Sequence, residues 1–311
     1  MPSPTPTLVN IGTHSLALYA HGPSPTPSQP VVFFINGIAT SSLVWAGVLK
    51  LLPSTLRSYT YDRSGFSASN PSPLPPTPEN IALELSRLMK NTPITNPLIL
   101  VGHSWAGVLI REFIALTGGS QIAGLVLVDA NLETSLQVLN VLDPQLRAVF
   151  KGVEHYEGSG IAREHKLTSE EWDAFIKDER SAKFVLQAEN ESKEYEPGFG
   201  TLLKKELAKK QPLLGDAPVF VTGGMRSRDW NGLYAAGVAK GNGTEEQRRY
   251  AREMIDGADE KHMGLIREHL KLSTRGKLVW AYESGHFVQL TQPELVVEGV
   301  EWVLDELKAG S

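Results

Sequence analysis

The stretch Leu98-Ile99-Leu100-Val101-Gly102-His103-Ser104-Trp105-Ala106-Gly107 joins two different hydrophobic rhythms. Its first four residues form an unbroken apolar run, the pattern of a strand buried on both faces. After it, Leu109, Ile110, Phe113, Ile114 and Leu116 follow at helical spacing, so strand gives way to helix close to Ser104. The turn between them has the form G-x-S-x-A-G. Small residues at 102 and 106 permit a sharp reversal that exposes the Ser104 hydroxyl while helix packs close to strand, as in a nucleophile elbow. The helix N-terminus then faces the hydroxyl and favours negative charge there. The string alone is a weak signal, and its strand-turn-helix setting gives it weight.

Working outward, residues 31–35, 125–128, 219–221 and 278–281 repeat the continuous Val, Ile, Leu and Phe character of residues 98–101. Helical patterns fall between them. The clearest is the last, with Val296, Val300, Val303, Leu304 and Leu307 on one face and a capping-box spacing at Thr291 and Glu294. Alternating strands and helices predict an α/β fold built on a doubly wound, mostly parallel sheet. The rhythm breaks between Ala130 and Ala217, where charged helical stretches such as 169–180 replace any strand-like run. So long a segment predicts an inserted helical cap. The expected organisation is a core in two parts, residues 1–130 and 217–311, with a cap or lid at 131–216. Residues 223–276 form a second long stretch, with a charged helix pattern around 245–255. The proline clusters, SPTP at 3–6 and 24–27 and PSPLPPTP at 71–78, read as loops.

The 311 residues, 41% of them hydrophobic, suffice for a sizeable core and exclude disorder throughout. Without cysteine the chain has no disulfide framework, thiolate nucleophile or cysteine-ligated metal. A net charge of -5, from 30 basic and 35 acidic residues, gives no electrostatic basis for binding a polyanion such as nucleic acid. The N-terminus lacks a basic region followed by an apolar run, and no segment reaches about 18 uninterrupted apolar residues, so a cytoplasmic protein without a membrane span is expected. The motifs of zincins, P-loop enzymes and dinucleotide folds are missing, and no cofactor is implied.

Four motifs in order resemble the α/β-hydrolase superfamily, specifically serine-nucleophile members with a cap inserted after the sixth strand. Phe34-Ile35-Asn36-Gly37-Ile38, with Trp45 beyond it, resembles the oxyanion loop after the third strand. Tyr61-Asp62-Arg63-Ser64-Gly65-Phe66-Ser67 resembles the family's D-R-x-G-x-G/S turn. The Ser104 elbow is the third, and Glu283-Ser284-Gly285-His286-Phe287, between the last strand and the last helix, is the fourth. Asn36 stands where the family usually has His, and Ala106 where it usually has Gly. Neither departure removes the nucleophile, since oxyanion donors are backbone N–H groups, here assigned to Ile38 and Trp105.

The resemblance implies Ser104 as nucleophile and His286, one of eight histidines, as its general base. For the acid the chain offers Asp129, at the carboxyl end of the run 124–128, and Asp229, in what reads as a lengthened loop after residues 219–221. Asp129 is favoured by its place at a strand end. Asp62 and Arg63 are read as fixing the loop after the fourth strand. His103 is read as a packing and hydrogen-bonding residue that points away from the site. Trp172, Phe175 and Ile176 are read as a packing stripe, and Trp105, Trp230 and Tyr234 as further pocket candidates.

These assignments imply a cofactor-free hydrolase that cleaves an ester, lactone, thioester or similar carbonyl bond of a small to medium apolar molecule through an acyl-enzyme. A serine at 104 excludes the dehalogenase and epoxide-hydrolase chemistries of the family, which need a carboxylate nucleophile. A carbon–carbon bond hydrolase, an acyltransferase or a cyclase would use the same triad. The competing class is a non-catalytic receptor that retains the hydrolase pocket.

Overall fold

In the computed structural model, which describes residues 4–310, one eight-stranded sheet organises the chain. Residues 1–3 and 311, including the serine that opens the first SPTP, lie outside the described residues. The strands are β1 (Thr7–Asn10), β2 (Ser15–His21), β3 (Val31–Ile35), β4 (Ser58–Tyr61), β5 (Leu98–His103), β6 (Ile122–Val128), β7 (Val219–Gly224) and β8 (Gly276–Ala281). Their order is β1-β2-β4-β3-β5-β6-β7-β8. From β4 to β8 every pairing is parallel; β2 runs antiparallel to both β1 and β4. This is the doubly wound α/β sheet that the apolar runs predict, and all five runs are strands.

Alternation of side chains across the pleat sends β3 residues to two cores. Val31, Phe33 and Ile35 join one, with Ile81, Leu85 and Leu88 of the Pro78–Lys90 helix and Leu109 and Phe113 of the Ala106–Thr117 helix. Val32 and Phe34 join the other, with Val48 of the Ala46–Leu51 helix and Val296, Val300 and Val303 of the Pro293–Ala309 helix. Each such side chain, fully withdrawn from water, contributes about 1.5–3 kcal/mol. The strand order reverses direction at β3 and β5, and a crevice beyond the carboxyl ends of the strands at such a switch is where open α/β sheets hold ligands.

Between β6 and β7 the described residues form six α-helices, among them Pro144–Phe150, Ser169–Glu179 and Ala182–Leu203, one short 3-10 turn at Leu207–Lys210, and no strand. The Ser169–Glu179 helix is fixed by a capping box in which Thr168 and Glu171 satisfy each other's backbone N–H groups. Three more helices, Arg226–Ala239, Glu245–Asp256 and Ala258–Glu268, lie between β7 and β8. A third apolar cluster binds the two segments together, with Leu146 and Val149 from the first against Trp230, Leu233 and Ile255 from the second. No helix among the described residues is long and apolar enough to cross a membrane.

The capping box expected at Thr291 and Glu294 does not form. The last helix begins instead at Pro293 after Gln292, because the Thr291 hydroxyl is committed to the loop before it, bonding Ser284 Oγ at 2.7 Å and the Phe287 carbonyl at 3.1 Å.

Candidate active site

The β5 strand ends at His103, and the helix that follows starts at Ala106, leaving Ser104 and Trp105 to make the turn. Ser104 sits at φ 56°, in the left-handed region that costs an L-residue roughly 1–2 kcal/mol. The turn is held by Ser104 N–H donating to the Val128 carbonyl at 3.1 Å, and by the Ser104 carbonyl accepting from Asn131 N–H at 2.7 Å and Gly107 N–H at 3.0 Å. Glycine at 107 is required by packing: a Cβ there would lie 2.1 Å from the Asn131 carbonyl oxygen. Ala106 is tolerated, with its own methyl 3.0 Å from where a Cβ on Gly102 would stand.

The structure brings Ser104, His286 and Asp129 together. Ser104 Oγ is 2.9 Å from His286 Nε2, and His286 Nδ1 is 2.5 Å from Asp129 Oδ2. An ionised Asp129 can only accept, so Nδ1 carries the proton and Nε2 presents its lone pair to the Ser104 hydroxyl. Asp129 directly follows β6, at φ 43° with its N–H on the Thr222 carbonyl, and its side chain is fully buried. Three other donors surround it: Gly224 N–H and His262 Nε2 on Oδ1 at 2.9 and 2.5 Å, and Arg226 Nη2 at 3.0 Å from Oδ2. Burial alone would raise this carboxyl, but Arg226 and His262 more than offset it and hold it well below the usual carboxylate range.

His286 is held well below the usual histidine range, first by burial and then by the Arg226 guanidinium and the neighbouring His103 ring, against the opposing pull of Asp129. It is therefore neutral, and able to accept a proton, at neutral pH.

Asp229, the alternative acid, lies in the first turn of the Arg226–Ala239 helix; the stretch that reads as a lengthened loop is helical from Arg226. It accepts the backbone N–H of His286 at 2.7 Å, and a Cβ on Gly285 would collide with its carboxylate. Burial pushes its carboxyl up to about 6.

His103 packs and hydrogen-bonds as expected, but it does not point away from the site. Its ring lies 4.5 Å from that of His286, with Nε2 donating to the His286 carbonyl at 3.0 Å. Burial lowers its imidazole to about 4, so it stays neutral. Trp105 is buried against Tyr195, and Trp230 in the third apolar cluster; Phe175 packs with Trp172 and Tyr156 beneath Phe287.

The loop after β3 passes directly beside the serine, since a Cβ on Gly37 would stand 3.1 Å from Ser104 Cβ. Asn36 is buried, its side chain bonding Trp45 Nε1 and the Thr40 carbonyl. Neither the Ile38 nor the Trp105 N–H has a hydrogen-bond partner among the described residues. Asp62 does fix the loop after β4, accepting from Ala68 N–H, Tyr19 and Ser42. Arg63 does not. It turns to the Asn36 and Gly37 carbonyls and to Glu191 of the Ala182–Leu203 helix.

Arg226 and His262 are the site residues that sequence reasoning missed. His262 shares the buried face of the Ala258–Glu268 helix with Ala258, Leu265 and Ile266. A histidine at that place in an apolar stripe is the signal that could have marked it. Arg226 opens a helix after an apolar strand, and nothing in its neighbours distinguishes it from a surface arginine.

Residues 32–299 match a family model described as "Alpha/beta hydrolase family". An "AB hydrolase superfamily protein" of Gibberella zeae is 31% identical over 291 residues, covering 91% of this chain and 88% of that one. A "Probable transporter efuK" of Hormonema carpetanum is 30% identical over 97% of this chain, which spans only 43% of that relative's length. Among solved structures, the enol-lactonase from Burkholderia xenovorans LB400 aligns with a TM-score of 0.60 at 15% identity, over 96% of this chain and 100% of its own. Haloalkane dehalogenase DbeA from Bradyrhizobium elkani aligns with a TM-score of 0.64 at 16% identity, over 98% of both chains. At such identities these structures share the fold.

Proposed function

The chain belongs to the alpha/beta hydrolase family, and on that premise we propose that it is a serine hydrolase cleaving an ester, lactone or thioester of a small to medium, largely apolar molecule. The observation that carries the reading is the continuous line from Ser104 Oγ through His286 to Asp129. His286 Nε2 takes the Ser104 proton as Oγ attacks the carbonyl carbon, and Asp129 stabilises the resulting imidazolium. The Ile38 and Trp105 N–H groups receive the oxyanion. The tetrahedral intermediate collapses, the leaving group takes the proton from His286, and the acyl group stays on Ser104. Water deprotonated by His286 then releases the acid. The apolar surroundings of the triad, with Phe287 packed edge-on against His286 and Trp105 beside Ser104 packed on Tyr195, support an apolar substrate.

A fluorophosphonate probe tests the reading. The wild-type protein should be labelled at Ser104 and Ser104→Ala should not. A wild-type serine that stays unlabelled while the protein binds apolar esters tightly would move it to the receptor class.

The charges around His286 set a pH signature. Arg226 depresses the imidazole, so removing that positive charge raises its pKa and leaves less neutral base at acidic pH. With Arg226→Met, the acidic limb of the kcat/KM profile is expected to move to higher pH than in wild type. A limb that stays in place, or moves to lower pH, would show that Arg226 does not depress the base.

A further inference from the structure

We infer that Arg63 and Glu191 are positioning residues that aim the Ile38 N–H into the oxyanion site, an inference resting on the serine-hydrolase reading above. The argument starts from the peptide unit. Gly37 C=O and Ile38 N–H belong to one planar trans peptide and point in opposite directions. Arg63 Nη2 donates to the Gly37 carbonyl at 2.7 Å and Nη1 to the Asn36 carbonyl at 2.9 Å. Holding Gly37 O on the guanidinium turns the Ile38 N–H away from it, and that N–H is left without a partner among the described residues.

The next donor along the chain is taken. Ala39 N–H donates to Glu191 Oε2 at 2.8 Å. Ala39 stands at φ 46°, a left-handed conformation that a residue with a Cβ keeps only where its surroundings impose it. Glu191 also receives Arg63 Nε on Oε1 and Nη2 on Oε2, both at 2.7 Å. The fork geometry fixes the guanidinium plane, and so the direction in which it draws the two carbonyls. Both side chains are almost wholly buried, so neither partner is loosened by solvent. Because Glu191 lies on the Ala182–Leu203 helix, between β6 and β7, the aim of an oxyanion donor on the β3 loop depends on how that helix is seated.

A simple staple between helix and sheet would give the same contacts, so the test needs a readout that a staple does not move. A thionoester replaces the carbonyl oxygen with sulfur, a poorer acceptor for an N–H donor, so the rate ratio of para-nitrophenyl acetate to its thiono analogue reports on oxyanion donation. With Glu191→Gln and Arg63→Lys, kcat for the oxygen ester should fall roughly 10–100-fold, less than the loss on removing a donor outright. KM should stay within about two-fold, as for an interaction made only in the transition state. The thionoester rate should fall less, so that the ratio collapses. Glu112→Gln, which breaks a part-buried core-to-insertion ion pair, with Lys205, should leave the ratio at its wild-type value. If Glu191→Gln fails to fold, Glu191→Asp keeps the charge and shortens its reach. Oxygen and sulfur esters slowing in parallel, or folded variants with unchanged kcat, would overturn the clamp alone. A wild type with no Ser104-dependent turnover would overturn the serine-hydrolase reading and the clamp with it.

Discussion

Ser104→Ala is expected to lower kcat for ester hydrolysis by about 10⁴-fold or more while leaving the protein folded. The size of the loss follows from the interdependence of the groups. Without Oγ, His286 has no proton to take, and the Asp129 contact that fixes its tautomer has nothing to act on. What survives is what the backbone donors and the binding surface supply to a direct attack by water. The loss should appear in kcat and kcat/KM together, since the hydroxyl acts on the reacting carbon. Steady-state kinetics with and without added hydroxylamine, an alternative acyl acceptor, would separate loss of acylation from loss of deacylation. Comparable turnover by Ser104→Ala and wild type would show that ester cleavage does not pass through this serine. A thermal scan guards the interpretation and adds a second reading. At φ 56° the backbone of residue 104 suits glycine better than alanine, so Ser104→Gly should be as inactive as Ser104→Ala yet unfold at a higher temperature.

Apart from the part-buried edge strand β8, the strands of this fold that the chain announces are those where both faces of an element meet protein. Residues 31–35 and 98–101 are buried throughout, so selection for apolar side chains at every position leaves an unmistakable run. β1, with one buried residue in four, lies at the edge of the sheet, while β4, with the sequence SYTY, is interior and mostly buried yet built from hydroxyl-bearing side chains, so neither forms an apolar run. The same logic governs the candidate site. Ser104 and Asp129 follow their strands directly and His286 lies five residues past the end of β8, so local pattern places all three beyond the carboxyl ends of strands, and the structure brings them within hydrogen-bonding reach. Arg226 and His262 reach the same carboxylate from helices after β7, and no local pattern records an encounter between residues so far apart in the chain. Arg63 is visible as a motif residue, but its hydrogen-bond partners lie 26, 27 and 128 positions away, beyond what local pattern could resolve.

Asp129→Asn is expected to reduce kcat by about 10⁴-fold, in line with the loss when the carboxylate of a serine triad becomes an amide. All four partners of this carboxylate are donors: His286 Nδ1, His262 Nε2, Arg226 Nη2 and Gly224 N–H. An amide can face them with only one acceptor oxygen, and its NH₂ must meet another donor. If the NH₂ falls toward His286, the imidazole can relieve the clash only by moving its proton to Nε2, which leaves no lone pair for Ser104. If the oxygen falls there, His262 or Gly224 is orphaned and the imidazolium loses its counter-charge in a buried site. Either way the base fails, and fluorophosphonate labelling should slow with it. Asp229→Asn makes the opposite forecast. Its carboxylate accepts a backbone N–H, a role that an amide oxygen can keep, so the expected loss is less than about ten-fold. Measuring both variants on one substrate, with unfolding curves to confirm that each is folded, assigns the acid. A large loss confined to Asp229→Asn would transfer that role from the end of β6 to the Arg226–Ala239 helix. The imidazole would then have to abandon its 2.5 Å contact with Asp129 during turnover.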